Sequence, residues 1–196
     1  MDELETQVRD ELAAIADVLE EMLGRRSRWN GELELSYEPF FRGKMSWRGG
    51  ILLRADLARA EPRWRTLLHE LLHTFSIGLN PEAYTNLRGW EEGTVEQLQR
   101  LIRPTVLARL GLNIPEETFA VVEADHPYNL FILALEQIRN PLDLHERNFY
   151  EQLLDIPLLE RPGYIMSIGI KSPIIEPAEF RRIFAVSFTA LRRGIL

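Results

Sequence analysis

The sequence predicts an α+β fold, mostly helical, with a small antiparallel sheet packed beside one central helix. Three observations carry that expectation. Apolar residues recur with a period near 3.6 over most of the chain, as amphipathic helices require. Residues 32–54 alternate instead with period two and are punctuated by Pro39, Gly43 and Gly49-Gly50, the pattern of short strands joined by turns. Finally, Trp64, Leu67, Leu68, Leu71, Leu72 and Phe75 fall on one stripe of a helix whose opposite side carries Thr66, His69, Glu70 and His73.

The elements follow in order. Leu4, Val8, Leu12, Ile15, Leu19 and Met22 make a narrow stripe, so 3–23 is a packing helix stopped at Gly24, with a dimer seam as the alternative use of that stripe. Leu33, Leu35 and Tyr37 alternate with acids and serine in a first strand, and Lys44–Arg48 and Ile51–Arg54 give two more. The central helix starts near Pro62 and stops before Gly78. Asn80-Pro81 and Gly89 mark 79–89 as a loop, where Tyr84 and Asn86 line the site or merely cover it. A helix over 90–102 is interrupted at Pro104, and further helices are expected at 115–124, 128–139 and 142–154. Arg161-Pro162-Gly163 reads as a turn, Tyr164–Ile170 as a strand and Pro177–Leu191 as a last helix.

At 196 residues the chain is long enough for one domain with a real core, and 1–196 is read as one domain. A net charge of −7 without any basic run argues against a nucleic-acid partner. There is no cysteine, so any metal site has to be built from His, Asp and Glu. The acidic amino terminus and the lack of a long apolar run point to a cytoplasmic protein with no membrane partner. Oligomeric state is left open.

The stretch that names a chemistry is His69-Glu70-Leu71-Leu72-His73, an HExxH motif. Histidines four apart on a helix share a face and can bring two imidazoles to one metal ion, while the glutamate beside the first can act on a water there. Such a short pattern also arises by chance on polar helix faces. The context adds a third ligand: after eighteen intervening residues, Glu92-Gly93 opens a segment with Glu92 and Glu96 on one helix face. Two histidines, a carboxylate and one remaining position form the ligand set of an open zinc site.

This arrangement resembles the gluzincin metallopeptidases, zincin-like enzymes that include very small single-domain members. The resemblance spans about residues 44–140 and implies Zn as cofactor, with His69, His73 and Glu92 as ligands and Glu70 as general base. It implies for Glu96 a supporting role that orients a histidine, the alternative being a solvated helix residue. Pro127–Ile138 is similar to the helix that follows in small gluzincins. Tyr128 and His126 at its start are candidate oxyanion donors, or else a half-buried aromatic and a helix-start cap, with Tyr84 as the loop alternative. In zincins the strand before the active helix is a sheet edge that pairs with extended substrate, which marks Lys44, Met45, Ser46 and Trp47 as candidate substrate-binding residues. Aminopeptidase-like members carry Gly-x-Met-Glu-Asn there. This chain keeps Gly43 and Met45 but has Ser46 in place of the amine-binding glutamate, so the expectation is an endopeptidase acting on peptide or protein. Residues 163–196 are read as core, with a regulatory tail as the alternative. The competing reading of the whole is a zinc-binding regulatory or interaction module with little or no peptidase activity, and a metal-free structural protein comes third.

Overall fold

The computed structural model describes residues 3–192. Met1, Asp2 and residues 193–196, which end the candidate regulatory segment, lie outside the described residues. The described elements are helix α1 (Glu3–Leu23), strands β1 (Leu33–Ser36), β2 (Gly43–Met45) and β3 (Ile51–Arg54), then α2 (Arg63–Phe75), α3 (Pro81–Arg109), α4 (Glu117–Glu123), α5 (Asn129–Arg139), α6 (Glu146–Asp155), α7 (Arg161–Lys171) and α8 (Pro177–Arg192). The fold is therefore mostly helical with one small sheet. Among the described residues no helix is long and apolar enough to cross a membrane. Chain contacts group the residues into two units, Met1–Phe75 with Gln99–Asp125, and Ser76–Leu98 with His126–Leu196.

In the first unit, α1 buries Val8, Leu12, Ile15, Ala16 and Leu19 and packs against α2 and β1, so its stripe is core. Gly24, at φ +67°, ends the helix in the left-handed conformation that glycine adopts without a side-chain penalty. The sheet order is β1-β3-β2. Strand β2 is antiparallel to β3, but β1 runs parallel to β3 with Leu33 opposite Ile51 and Leu35 opposite Leu53, which corrects the all-antiparallel expectation. The reason is positional. The chain reverses between β1 and β2 and again between β2 and β3, and β3 inserts between its two predecessors, so it runs the same way as β1. The second reversal is tight. Ser46 accepts from Gly49 N–H at 2.9 Å and Gly49 sits at φ +90°, where a Cβ would lie 2.4 Å from the Arg28 carbonyl oxygen. Strand β2 thus stops at Met45, and Ser46 and Trp47 belong to the turn rather than to the expected strand.

Helix α2 begins where expected. Every residue from Trp64 to Phe75 is buried, so its polar side is covered as completely as its apolar stripe. On α3 and α4, Arg103 is 2% exposed. It reaches Glu116 and Glu123 at 2.5 Å each and lies over the Phe119 ring at 4.1 Å, which joins the two helices by charge-assisted hydrogen bonds.

Helix α3 corrects two expectations. Residues 81–86 are helical rather than loop, with a kink at Leu87 (φ −133°, ψ 34°), and Pro104 lies inside the helix without ending it. Ile102, Val106 and Leu107, all buried, hold the turns on both sides of that proline. Among the described residues the second unit's regular elements are all helices. Helix α8 packs on α5 and α7. Trp90, Phe184 and Phe188 make a ring cluster with centroids 5.6 to 6.4 Å apart. The expected strand over 164–170 is helix α7. Pro162 sits at its start, and Ile165 and Gly169, four apart, face inward as a helical pattern demands. The isoleucine-rich composition suggested a strand, and tertiary packing overrode that propensity.

Gly169 is where α7 and α8 meet most closely. A Cβ there would lie 2.0 Å from the ring of Phe180, which is fully buried and cannot swing away. Gly169→Ala is expected to destabilise the protein by roughly 1 to 3 kcal/mol through overpacking, read as a lower urea midpoint at unchanged m-value. An unchanged midpoint would show that this crossing relaxes freely.

Candidate metal centre

The polar face of α2 brings its two histidines together. His69 and His73 are each 6% exposed, their rings meet edge to face, and their Nε2 atoms are 3.2 Å apart. Two nitrogens on one tetrahedral zinc sit about 3.3 Å apart, since bonds of ~2.0–2.1 Å at the tetrahedral angle leave that separation. The end of this helix is held in place by Arg28. Its backbone N–H and Nε donate to the Thr74 carbonyl at 3.2 and 3.1 Å, and its Nη2 reaches the His73 carbonyl at 3.4 Å, so two of the last-turn carbonyls that a helix leaves without intrahelical partners are satisfied.

Glu70 lies on the same helix, 7% exposed, and its Oε2 accepts the backbone N–H of Met45 at 2.7 Å. Lys44 is exposed on β2. The Ser46 hydroxyl accepts from Gly50 N–H at 2.9 Å, which stabilises the turn, and Trp47 stands half exposed beside it. Of the four candidate substrate-binding residues, Lys44 and Met45 are therefore on the edge strand next to Glu70, while Ser46 and Trp47 shape the turn.

Glu92 is 3% exposed on α3. The Tyr84 hydroxyl donates a short hydrogen bond to its Oε1, and Arg88 Nε stands 3.9 Å from the same oxygen. Tyr84, Arg88 and Glu92 are four apart, so they stack on one helix face across the Leu87 kink. Burial, and then the charge of Glu92, push the Tyr84 phenol far above its ordinary value, so it remains a donor. Burial works against the Arg88 guanidinium, but its hydrogen bond to Tyr128 and the neighbouring phenols and carboxylate together raise its pKa, and it remains a cation.

Among the described residues, His69, His73 and Glu92 form a group of three side chains that each offer a ligand atom, all within 4.8 Å of one another. Two imidazole nitrogens and a carboxylate oxygen, buried together with no thiolate in the chain, are a donor set suited to zinc. Glu96, one turn beyond Glu92, is fully buried, which rules out the solvated alternative.

Tyr128 stands at the start of α5 and its hydroxyl accepts from Arg88 Nη2 at 3.3 Å. His126 meets the Tyr128 ring edge-on, and its Nδ1 accepts the Tyr128 N–H at 3.4 Å, a capping geometry. His145 caps α6, its Nδ1 accepting from Asn148 N–H at 3.5 Å. Sequence reasoning missed Arg28 and Arg88 and undervalued Tyr84. The 84-88-92 spacing was the available signal, hidden by reading 79–89 as loop. No protein family, no curated protein and no solved structure matches this chain.

Proposed function

We propose that the protein is a zinc-dependent peptidase of gluzincin type, an endopeptidase acting on peptide or protein. The observation that carries this reading is the buried convergence of His69, His73 and Glu92, with Glu70 on the same helix turn as His69. When bound, zinc would supply Lewis-acid chemistry, polarising the scissile carbonyl and making a water more acidic. The chain's own residues do the rest. Glu70 takes a proton from the attacking water and returns it to the leaving nitrogen. Tyr84 holds the Glu92 carboxylate in one orientation, and Glu96 is read as supporting a histidine from the next turn. Tyr128, with His126 beside it, remains the candidate donor to the oxyanion, and Arg88 holds the Tyr128 hydroxyl in place.

A second reading, a zinc-binding regulatory or interaction module, is favoured by one observation: the three ligands and Glu70 are all at most 7% exposed. Digestion of a denatured protein mixture by the purified protein, with and without a chelator, separates the two. Chelator-sensitive cleavage supports the peptidase, and bound zinc without cleavage supports the module.

Glu92→Ala is expected to leave dialysed protein with little or no zinc on metal analysis, and full occupancy would remove Glu92 from the ligand set. Glu70→Gln should keep zinc and fold while losing most peptide hydrolysis, and comparable activity in that variant would exclude Glu70 as the base. The two phenols are expected to separate by readout. Tyr84→Phe should weaken zinc binding by roughly 10- to 100-fold, whereas Tyr128→Phe should keep zinc and lower turnover by about a hundredfold or more. Loss of zinc in the Tyr128 variant, or unchanged affinity in the Tyr84 variant, would reverse those assignments.

A further inference from the structure

Strand β2 is an outer strand, and its two sides differ. Its register sets Gly43 opposite Leu53, Lys44 opposite Leu52 and Met45 opposite Ile51. The phase of the ladder follows from Arg54 N–H donating to the Arg42 carbonyl at 2.9 Å and Ser46 N–H to the Gly50 carbonyl at 2.7 Å. In an antiparallel pair these bonds come at every second residue, so Arg42, Lys44 and Ser46 turn their main-chain groups toward β3 while Gly43 and Met45 turn theirs outward. The outward N–H of Met45 is the one that Glu70 Oε2 accepts, at 2.7 Å. Beside it, a Cβ on Gly43 would lie 2.5 Å from Thr66 Cγ2, 2.9 Å from Glu70 Cγ and 3.0 Å from Glu70 Oε1. The space a Gly43 side chain would occupy is therefore taken by Thr66 and Glu70, and the Met45 amide holds the Glu70 carboxylate directly.

We infer that β2 is a positioning element of Glu70, with the Met45 amide fixing Oε2 and the absent side chain of Gly43 admitting the glutamate against the strand. A glutamate has three rotatable bonds and loses considerable freedom when it is held in one rotamer. Here a neighbouring strand supplies the constraint, and a proton-transfer group needs that precision of placement. The Met45 amide engages Oε2, and under the peptidase reading Oε1 is the oxygen that carries the proton. The Met45 N–H is correspondingly taken, so an extended chain lying along this edge would meet Met45 through its carbonyl. What Oε1 does rests on the peptidase reading, but the positioning itself does not.

The test uses two readouts. Amide hydrogen exchange by NMR on the metal-free protein is expected to show Met45 protected in the wild type. Its exchange should be faster in Glu70→Ala on the order of tenfold or more, the range expected for losing a hydrogen bond to a charged acceptor. The ladder amide of Lys44 should be unchanged. Equal exchange of Met45 in the two proteins would overturn the inference. Met45→Pro removes the N–H at an outward-facing edge position that a proline tolerates, and Gly43→Ala crowds both Thr66 and the glutamate beside the strand. With a peptide substrate both should keep zinc and KM while kcat falls, and the reverse pattern, a raised KM at unchanged kcat, would make β2 a substrate edge only. If the wild type cleaves no peptide, the peptidase reading fails while the exchange result still decides the positioning. The exchange measurement also stands if either strand variant fails to fold.

Discussion

The structure depends on the burial of a polar helix face. Helix α2 carries Thr66, His69, Glu70 and His73 on the side opposite its leucines, and no residue from Trp64 to Phe75 is exposed. A buried carboxylate and two buried imidazoles are costly unless each finds partners, and the cost rises steeply if any remains uncompensated. The neighbouring elements supply those partners. Strand β2 gives an amide to Glu70, Arg28 caps the carbonyls at the end of the helix, and the two imidazoles face each other at hydrogen-bond distance. An apolar helix in the same place would need none of this, so the features that look least economical for folding are the ones that gather the candidate chemistry.

Helix α3 shows how adjacent residues can be assigned different tasks. Glu91 and Glu92 point about 100° apart around the helix axis. Glu91 is fully buried and accepts from Arg161 at 2.8 Å and from the Ser76 hydroxyl at 2.7 Å, while Arg161 also reaches the Ser76 oxygen at 2.5 Å and the Ile156 carbonyl at 3.2 Å. Burial pulls the Arg161 guanidinium below its ordinary pKa, and the Glu91 charge opposes that shift. A buried ion pair of this kind adds little net stability compared with an apolar pair, and its stronger effect is to penalise any other rotation of the helix. Turning α3 by one residue would bury the Glu91 charge without Arg161. The rotation that satisfies Glu91 therefore also fixes the side on which Glu92, together with Tyr84 and Arg88, lies.

Which parts were legible in the sequence follows from the range of the interactions involved. The α1 stripe, the α2 face and the Glu92 position are matters of helical period, so they could be read from spacing alone. The parallel pairing of β1 with β3 depends on β3 inserting between β1 and β2, and no local pattern in Leu33–Ser36 announces it. Helix α7 was hidden because Ile165, Ile168 and Ile170 favour strands, and the decisive feature is Gly169 making room for Phe180 on another helix. Residues 81–86 looked like loop because Asn80-Pro81 stands at their start. Yet the Asn80 side chain accepts the Ala83 N–H at 3.0 Å and starts a helical turn, which aligns Tyr84 and Arg88 with Glu92. The supporting residues of the site were missed for the same reason as the fold details: their partners are set by tertiary packing.

The geometry of Glu70 bears on whether the site would be open or closed. Zinc prefers four ligands, and a structural site fills all four positions with protein side chains. Glu70 is adjacent to His69 and would be the obvious fourth, yet its Oε2 is engaged by the Met45 amide, and among the described residues the ligand group is His69, His73 and Glu92. Cysteine is absent from the chain, and His145 is occupied in capping α6. Under the proposed reading, a carboxylate held beside the ligand group but outside it can meet a water in the remaining position, which is where a base is useful and a fourth ligand would be an obstacle. The deep burial of the group favours a module that merely keeps its metal. The Met45 amide would stabilise a buried Glu70 in either reading, but only the peptidase has a use for a carboxylate kept beside the ligand group and outside it, and on that ground we propose the peptidase over the module.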